Sequence, residues 1–386
     1  MHAVKKSDQP TERQSNGRQT TDRLTGGAVK TVAEFSIPFV QFLDAAGNSV
    51  APLPPCAHDR AELVKMYRTM VLARTFDIKA VNLQRIGKLG TYPPAVGHEA
   101  VQVACGAALK DEDCIAPVYR EIGTQFWRGV RMQDVLLYWG GDERGNDFVG
   151  PKHDFPWCVP IATQTLHAAG AALAFKIRNE RRVAVAFIGD GGTSEGSFYE
   201  AINVAGVQKL PMVFIVVNNQ WAISVPLSEQ TATETLAQKA IAAGIRGVQI
   251  DGNDVLAARH VIGEAVERAR AGEGPTVIEA ITYRLSDHTT ADDATRYRRA
   301  EDVKAAWARE PIKRTRALLD RSKWWDDHQE IALKTECSQQ VEAAVQEFLN
   351  MPKQSTDAMF DYLFANPPQN LQAQKELARR FGDAGH

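Results

Sequence analysis

Two short runs, Val183–Ile188 (VAVAFI) and Met212–Val217 (MVFIVV), constrain this chain more than any other feature in it. Each is apolar and rich in β-branched residues from end to end, and each stops at a polar turn, as a strand buried on both faces of a parallel sheet does. Between them Phe198, Ile202, Ala205 and Gly206 recur at helical spacing. The three segments make one βαβ unit. Its right-handed crossover leaves both strands ending on the same carboxyl edge of the sheet.

The residues at that edge carry chemistry. The first run gives way to Gly189-Asp190-Gly191-Gly192-Thr193-Ser194-Glu195-Gly196, the second to Asn218-Asn219. If the strands are neighbours, about 4.8 Å apart, Asp190 and Asn219 reach one ion, and this edge is where open α/β sheets bind ligands. Magnesium takes about six oxygens, few of them from protein and the rest from phosphates and water. The Asp190 carboxylate and the Asn219 side-chain carbonyl supply two. Gly191 and Gly192 remove Cβ atoms that would hold backbone N–H groups away from phosphate oxygens, and the following helix, with Glu195 near its start, adds its positive end. Taken singly, each motif reads equally well as a tight turn. Paired at this spacing behind two buried strands, they point to a site for a diphosphate and a magnesium ion.

The rest of the chain fits an α/β fold, a doubly wound and mostly parallel sheet. An extended entry at Phe39–Val50 and the turn Pro52-Leu53-Pro54-Pro55 precede a long helix over Arg60–Gly87, and a second helix spans His98–Leu109. A strand at Ile115–Val118 is followed directly by Tyr119-Arg120, which the carboxyl-edge rule sends towards the crevice of Asp190. A guanidinium fork suits phosphate oxygens and a tyrosine hydroxyl donates one more bond; a surface arginine beside a packed tyrosine is the plain alternative. The helix Thr163–Lys176 carries Ala168, Ala169, Gly170, Ala171 and Ala172, small enough for close approach of a twin subunit or for burial within the core. Strands at Gly247–Ile250 and Thr276–Ile281 flank a helix that starts at Val255 and ends at Gly272. The polar segment Tyr283–Arg298 reads as a functional loop at the same edge. From Val303 onward the chain is helical, with Trp307, Trp324 and Trp325 as packing anchors and a last helix over Leu371–Phe381.

Composition excludes several classes. A net charge of −2 offers no field for nucleic acid, and no apolar run approaches a membrane span. The five cysteines are scattered without a C-x-x-C pair, which argues against a disulfide framework or a zinc site and for a reducing compartment. Residues 1–30 carry almost no large apolar side chains and are expected to be a disordered tail; Asp8, Glu12 and Asp22 argue against a mitochondrial transit peptide.

Gly-Asp-Gly, a helix, a strand and Asn-Asn together form the fingerprint of thiamine-diphosphate enzymes. From about Phe42 to Leu363 the chain resembles the alpha subunit of the two-chain 2-oxo acid dehydrogenases, in particular the bacterial pyruvate type. The resemblance is carried by Gly97-His98-Glu99-Ala100, Tyr119-Arg120-Glu121, Ile161-Ala162-Thr163-Gln164, Gly189–Gly196, Asn218–Ser224, Ile250–Asp254 and Tyr283–Arg298. It implies a thiamine-diphosphate-binding α/β domain over 96–300, an N-terminal extended segment and helix over 31–95, and a helical region over 301–386. It also implies site roles. Tyr119, Arg120, Asp190, Gly191, Gly192, Asn219, Arg284 and His288 hold the cofactor, main-chain groups at Val159 and Ile161 touch its aminopyrimidine ring, and Asp190, Asn219 and the Trp221 carbonyl bind Mg2+. His288 is the catalytic residue, facing the diphosphate and the reaction channel.

No segment resembles the pyrimidine-binding domain, whose glutamate helps form the thiamine ylid; in these relatives it belongs to a beta subunit. The resemblance thus implies a chain inactive alone, an α2β2 heterotetramer, a lipoyl-bearing acyltransferase core and a location in the bacterial cytoplasm rather than the mitochondrial matrix. Pyruvate is the expected substrate. Branched-chain 2-oxo acids or acetoin are the alternative, because Thr91, in the segment Lys88–Pro94 that borders the substrate, stands where relatives often carry an aromatic residue. Thr289 stands where animal relatives carry a regulatory phosphoserine, and regulation is left open. A non-catalytic scaffold and a magnesium phosphohydrolase are the readings from other classes.

Overall fold

Both faces of the central strands are apolar, and the fold covers both. The computed structural model describes residues 30–361 and 363–382. Its strands are Phe39–Val40 (β1), Cys114–Ala116 (β2), Ala184–Gly189 (β3), Met212–Asn218 (β4), Trp221–Ala222 (β5), Val225–Pro226 (β6), Arg246–Asp251 (β7) and Thr276–Ile281 (β8). Six of them form one sheet in the order β1-β7-β8-β4-β3-β2, with every pairing parallel. β5 and β6 make a small antiparallel hairpin beyond the carboxyl end of β4.

Alternation along the strands sorts the core into two layers. Val185, Phe187, Val213 and Ile215 face one way, against the helices Glu99–Ala108 and Val255–Arg270. Ala186, Ile188, Phe214 and Val216 face the other, against Thr163–Ile177 and Gly196–Gln208. This is the doubly wound α/β arrangement expected from the sequence.

The regions before and after this core pack into it. Residues Ile37–His386 cluster as a single unit, and one apolar cluster joins Leu63, Met66 and Met70 to Val103, Leu256, Leu319 and Trp325. One buried carboxylate organises the entry. Asp254 caps the helix Val255–Arg270 through the N–H groups of Leu256 (3.0 Å) and Ala257 (3.3 Å), and also accepts from Phe42 (2.6 Å) and Leu43 (2.8 Å). The long helix Arg60–Arg85 is capped the same way, by Asp59 accepting from the Glu62 N–H.

Some expectations need correction. The strand expected at Ile115–Val118 pairs only over Cys114–Ala116, because Pro117 has no N–H to give the ladder. Of the extended entry, only Phe39–Val40 joins the sheet. Trp325 is a buried anchor and Trp324 is half-buried, but Trp307 is 41% exposed, with the Arg74 guanidinium 5.4 Å from its ring. On the helix Thr163–Ile177, Ala168, Ala169 and Ala172 are buried whereas Gly170 is exposed and meets nothing within 4 Å. The tail and transit-peptide readings fall almost wholly on residues 1–29, outside the described residues. Among the described residues, no helix is long and apolar enough to cross a membrane.

Candidate functional site

The register of β3 and β4 sets the site. Gly189 pairs with Val217, so Asp190 leaves the sheet beside Asn218, with Asn219 one residue further along the same edge. Both are buried, Asp190 to 2% and Asn219 to 7% exposure. Burial pushes the Asp190 carboxyl up; the Gln230 amide, Arg284 and the Asn219 N–H oppose this. The aspartate and the Asn-Asn turn therefore meet.

A cavity of about 580 Å3 opens over them. Tyr119, Arg120, Val159, Ile161, Asp190, Gly191, Gly192, Asn219, Trp221 and His288 all line it, as do Thr91, Pro93 and Trp139. Of the residues assigned from the sequence, Arg284 alone is not at the wall. It lies fully buried behind it, donating to the carbonyls of Trp221 (3.3 Å) and Ile223 (2.8 Å) and to the Tyr297 hydroxyl (2.8 Å). Arg284 thereby joins the Trp221–Ile223 turn to the Tyr283–Arg298 loop.

Arg120 reaches the cavity because Glu121 pins its turn. The Glu121 carboxylate accepts from the Val118 (2.8 Å) and Arg120 (3.1 Å) N–H groups, and burial pushes it up to about 7. The Arg120 guanidinium donates to Pro94 O (2.9 Å) and His288 O (2.6 Å), and it lies 2.8 Å from His288 Nδ1. Arg284 approaches the same nitrogen at 3.3 Å. A nitrogen facing two guanidinium groups must accept, so the proton of His288 sits on Nε2. Burial, Arg120 and Arg284 push this histidine down to about 3. It is a neutral imidazole, a donor through Nε2 rather than a cationic acid.

The local backbone is unusual where the site needs it. Gln220 and Ile223 have positive φ (73° and 55°) on either side of Trp221-Ala222, and Ala162, at the cavity wall, has φ 63°. A β-branched residue in the left-handed region is strained. Here the turn carbonyls of Trp221 and Ile223 are fixed by Arg284. The glycines have a packing reason of their own. A Cβ on Gly191 would sit 2.6 Å from Ala222 Cβ, and one on Gly192 would sit 2.7 Å from Ile188 Cγ1. Packing of the turn against its own protein thus requires them, whatever approaches from the cavity. Glu195 occupies the N-cap position of Gly196–Gln208, with no side-chain capping bond.

Several residues that sequence reasoning passed over belong to the site. Gln230 donates from Nε2 to Asp190 Oδ2 at 2.8 Å, while its buried Oε1 has no partner. His98 lines the cavity with a buried, unpartnered Nε2; burial, Arg120 and Arg284 push it down to about 3. Asp77, fully buried, accepts from the Tyr92 hydroxyl (2.7 Å) and the Ala95 N–H (2.8 Å), so it fixes the wall that carries Thr91 and Pro93. His98 stands inside a motif noted in the sequence. Gln230 and Asp77 lie far from the motifs they serve, and no local signal marks them.

Charge shows what the cavity suits. Among the described residues, Arg120 and Arg284 reach no carboxylate at ion-pair distance, and burial drops the Arg284 guanidinium to about 10. Two buried guanidinium groups without carboxylate partners at a sheet edge, beside the Asp190 carboxylate and a set of turn carbonyls, suit an anion together with a hard cation. No cluster of three or more His, Cys, Asp or Glu residues stands among the described residues. Asp190, Asn219 and the Trp221 carbonyl offer the kind of oxygen donors a magnesium ion would take, and the unpartnered His98 Nε2 leaves polar capacity at the cavity wall.

Fold and site together define a doubly wound α/β protein with an arginine-lined cavity at the carboxyl edge of its sheet. The comparisons with known proteins say which kind. The family model described as dehydrogenase E1 component matches residues 67–357. The chain is 42% identical over 355 residues to the pyruvate dehydrogenase E1 component subunit alpha of Staphylococcus epidermidis, covering 91% of this chain and 95% of the relative. It is 41% identical over the same length to the Staphylococcus aureus protein of that name. It is also 45% identical over 314 residues to the 3-methyl-2-oxobutanoate dehydrogenase subunit alpha of Mycobacterium tuberculosis, covering 81% of this chain and 86% of that one. The chain belongs to the dehydrogenase E1 component family, as an alpha subunit of the two-chain, thiamine-diphosphate-dependent 2-oxo acid dehydrogenases.

Proposed function

We propose that this chain is the alpha subunit of a pyruvate dehydrogenase E1 component. It holds the diphosphate of thiamine diphosphate and a Mg2+ ion, and the assembled enzyme decarboxylates pyruvate and acetylates a lipoyl group on an acyltransferase core. The observation that carries the reading is the convergence of Asp190, Asn219, Arg120 and His288 on one cavity, with Arg284 behind its wall on Trp221 O and His288 Nδ1, in a chain related to pyruvate-type alpha subunits over 91% of its length.

In this reading Asp190, Asn219 and the Trp221 carbonyl hold the metal, and Arg120, with the N–H groups of the Gly191–Ser194 turn, holds the phosphates. Thiamine diphosphate supplies the nucleophilic carbon and the electron sink for decarboxylation. Arg284 keeps the Trp221 carbonyl in place from behind. His288, neutral and held on Nδ1 by Arg120, presents its Nε2–H as a hydrogen-bond donor to the incoming group near the reaction channel.

The reading places a beta subunit over the cavity mouth in an α2β2 assembly. Its support is the exposed apolar rim, with Val159 47%, Ile161 44% and Ile223 55% exposed, together with the alpha-subunit names of the relatives. A site in the bacterial cytoplasm belongs to the same proposal, supported by the bacterial relatives and by five free cysteines.

A branched-chain 2-oxo acid is the second reading. It is favoured by Thr91 at the cavity wall, where relatives often carry an aromatic ring, and by the Mycobacterium tuberculosis relative. The test is turnover of pyruvate against 3-methyl-2-oxobutanoate by the chain assembled with its beta partner, thiamine diphosphate and Mg2+. Higher kcat/KM for pyruvate is the expected result; a preference for the branched substrate transfers the assignment. A scaffold role is tested in the same assembly, since a scaffold would bind no cofactor.

A further inference from the structure

Behind the Gly191–Ser194 turn, on the side away from the cavity, lies a lysine that neither the motifs nor the mechanism uses. Lys239 is 5% exposed. Its Nζ donates to Thr193 O at 2.7 Å and to Thr193 Oγ1 at 2.9 Å. The Thr193 hydroxyl passes the contact on, donating to Asp190 O at 2.7 Å. Among the described residues Lys239 has no carboxylate at ion-pair distance; the ring of Tyr199, 5.2 Å away, is its other close partner.

The segment that carries Lys239 also grips the second half of the metal cradle. The Ala237 N–H donates to Glu279 Oε2 at 3.0 Å, and Glu279 Oε1 accepts from Asn218 Nδ2 at 2.7 Å. One stretch, Leu236–Ala242, is thus tied to the aspartate turn through Lys239 and to the asparagine turn through Glu279. An ammonium buried without a counter-ion is costly. Burial lowers its pKa, with Glu279 opposing. An anion bound on the far side of the turn would offset that cost, which a brace of purely apolar packing would not allow.

We propose that Lys239 is a positioning residue for the diphosphate and metal turn: it fixes Thr193, and through it the Asp190 backbone, and its charge acts across the turn on the bound anion. The proposal rests on the reading of this cavity as the thiamine diphosphate site.

The test is titration of the assembled alpha and beta chains with magnesium thiamine diphosphate, comparing wild type with Lys239→Met and Thr193→Val. Both variants should bind the cofactor about tenfold or more weakly, the loss of one buried charge-assisted contact. At saturating cofactor the KM for substrate should stay within about twofold of wild type. The unfolding temperature of the cofactor-free assembly should fall by only a few degrees in Thr193→Val, which keeps the side-chain volume and leaves the Thr193 N–H on Asp190 O and Lys239 on Thr193 O. Cofactor affinity within about twofold of wild type in Thr193→Val overturns the proposal, whether or not Lys239→Met assembles. So does a Lys239→Met variant whose cofactor-free assembly melts lower while its cofactor affinity is unchanged, since that marks a brace for the fold alone. If wild type itself binds no thiamine diphosphate, it is the assignment of the cavity that fails, a different outcome from wild type and variants binding alike.

Discussion

Replacing Arg284 by methionine separates what stabilises this fold from what the site is built for. The guanidinium is 0% exposed and makes two short bonds, to Ile223 O and the Tyr297 hydroxyl at 2.8 Å, and a longer one to Trp221 O at 3.3 Å. Losing them leaves part-buried acceptors unpaired, at up to about 1–3 kcal/mol for each well-made bond. Against this, the fold already disfavours the charge. Holding the group at about 10 rather than 12.5 corresponds to about 3 kcal/mol against the cation, set chiefly by burial. The two effects are of similar size and opposite sign, as often found when a buried charge gives way to an apolar side chain of similar length. Arg284→Met should therefore shift the stability of the cofactor-free assembly by no more than about 2 kcal/mol, read from denaturant midpoints. The anion site should suffer more, because the variant loses a nearby cation and frees the Trp221 carbonyl. Thiamine diphosphate affinity, by calorimetric titration in the presence of Mg2+, should fall about a hundredfold, or about 2.7 kcal/mol. A variant that unfolds outright, or one that binds the cofactor as wild type does, refutes this division of roles.

Gly191→Ala places a Cβ 2.6 Å from Ala222 Cβ, so the turn or the hairpin must move; a loss of about 1–3 kcal/mol in stability and weaker cofactor binding are expected from melting curves and titration. Burial raises the Asp77 carboxyl from 3.8 to about 7, against the Tyr92 hydroxyl and the Ala95 N–H. Between those values the folded chain keeps a proton that the unfolded chain releases, so stability falls as pH rises through the window; Asp77→Asn should flatten this slope in denaturant midpoints at about pH 5 and about pH 8. His288 is held at about 3 rather than 6.5, so the pH profile of kcat/KM should show no limb near the ordinary histidine value that disappears on His288→Asn; such a limb would mean that the imidazole is not neutral in the working site.

The placement of the cradle residues was legible in the sequence because it is local. Asp190 and Asn219 each follow a strand whose apolar run announces itself, and the right-handed crossover fixes which edge they share. Tyr119 and Arg120 were placed correctly at the cavity although their strand ends earlier, at Pro117. The supports were not legible, because they act across long separations. Gln230 on Asp190, Lys239 on Thr193 and Asp77 under Tyr92 are polar residues in polar or helical stretches, and only the folded chain shows their partners. Trp307 shows the reverse error. A large aromatic in a helical stretch reads as core, yet it stands at the surface beside Arg74, where a cation over its ring replaces burial.

The central claim is that Asp190 and Asn219 hold a metal that binds a coenzyme's diphosphate to this chain, in a site that a partner chain completes. Thiamine diphosphate titrated into the assembled alpha and beta chains, with and without Mg2+, in wild type and in Asp190→Ala, tests it most directly. Saturable, magnesium-dependent binding in wild type that is lost in Asp190→Ala is the predicted result. Equal affinity in the two proteins, or full 2-oxo acid turnover by the isolated chain, would contradict it.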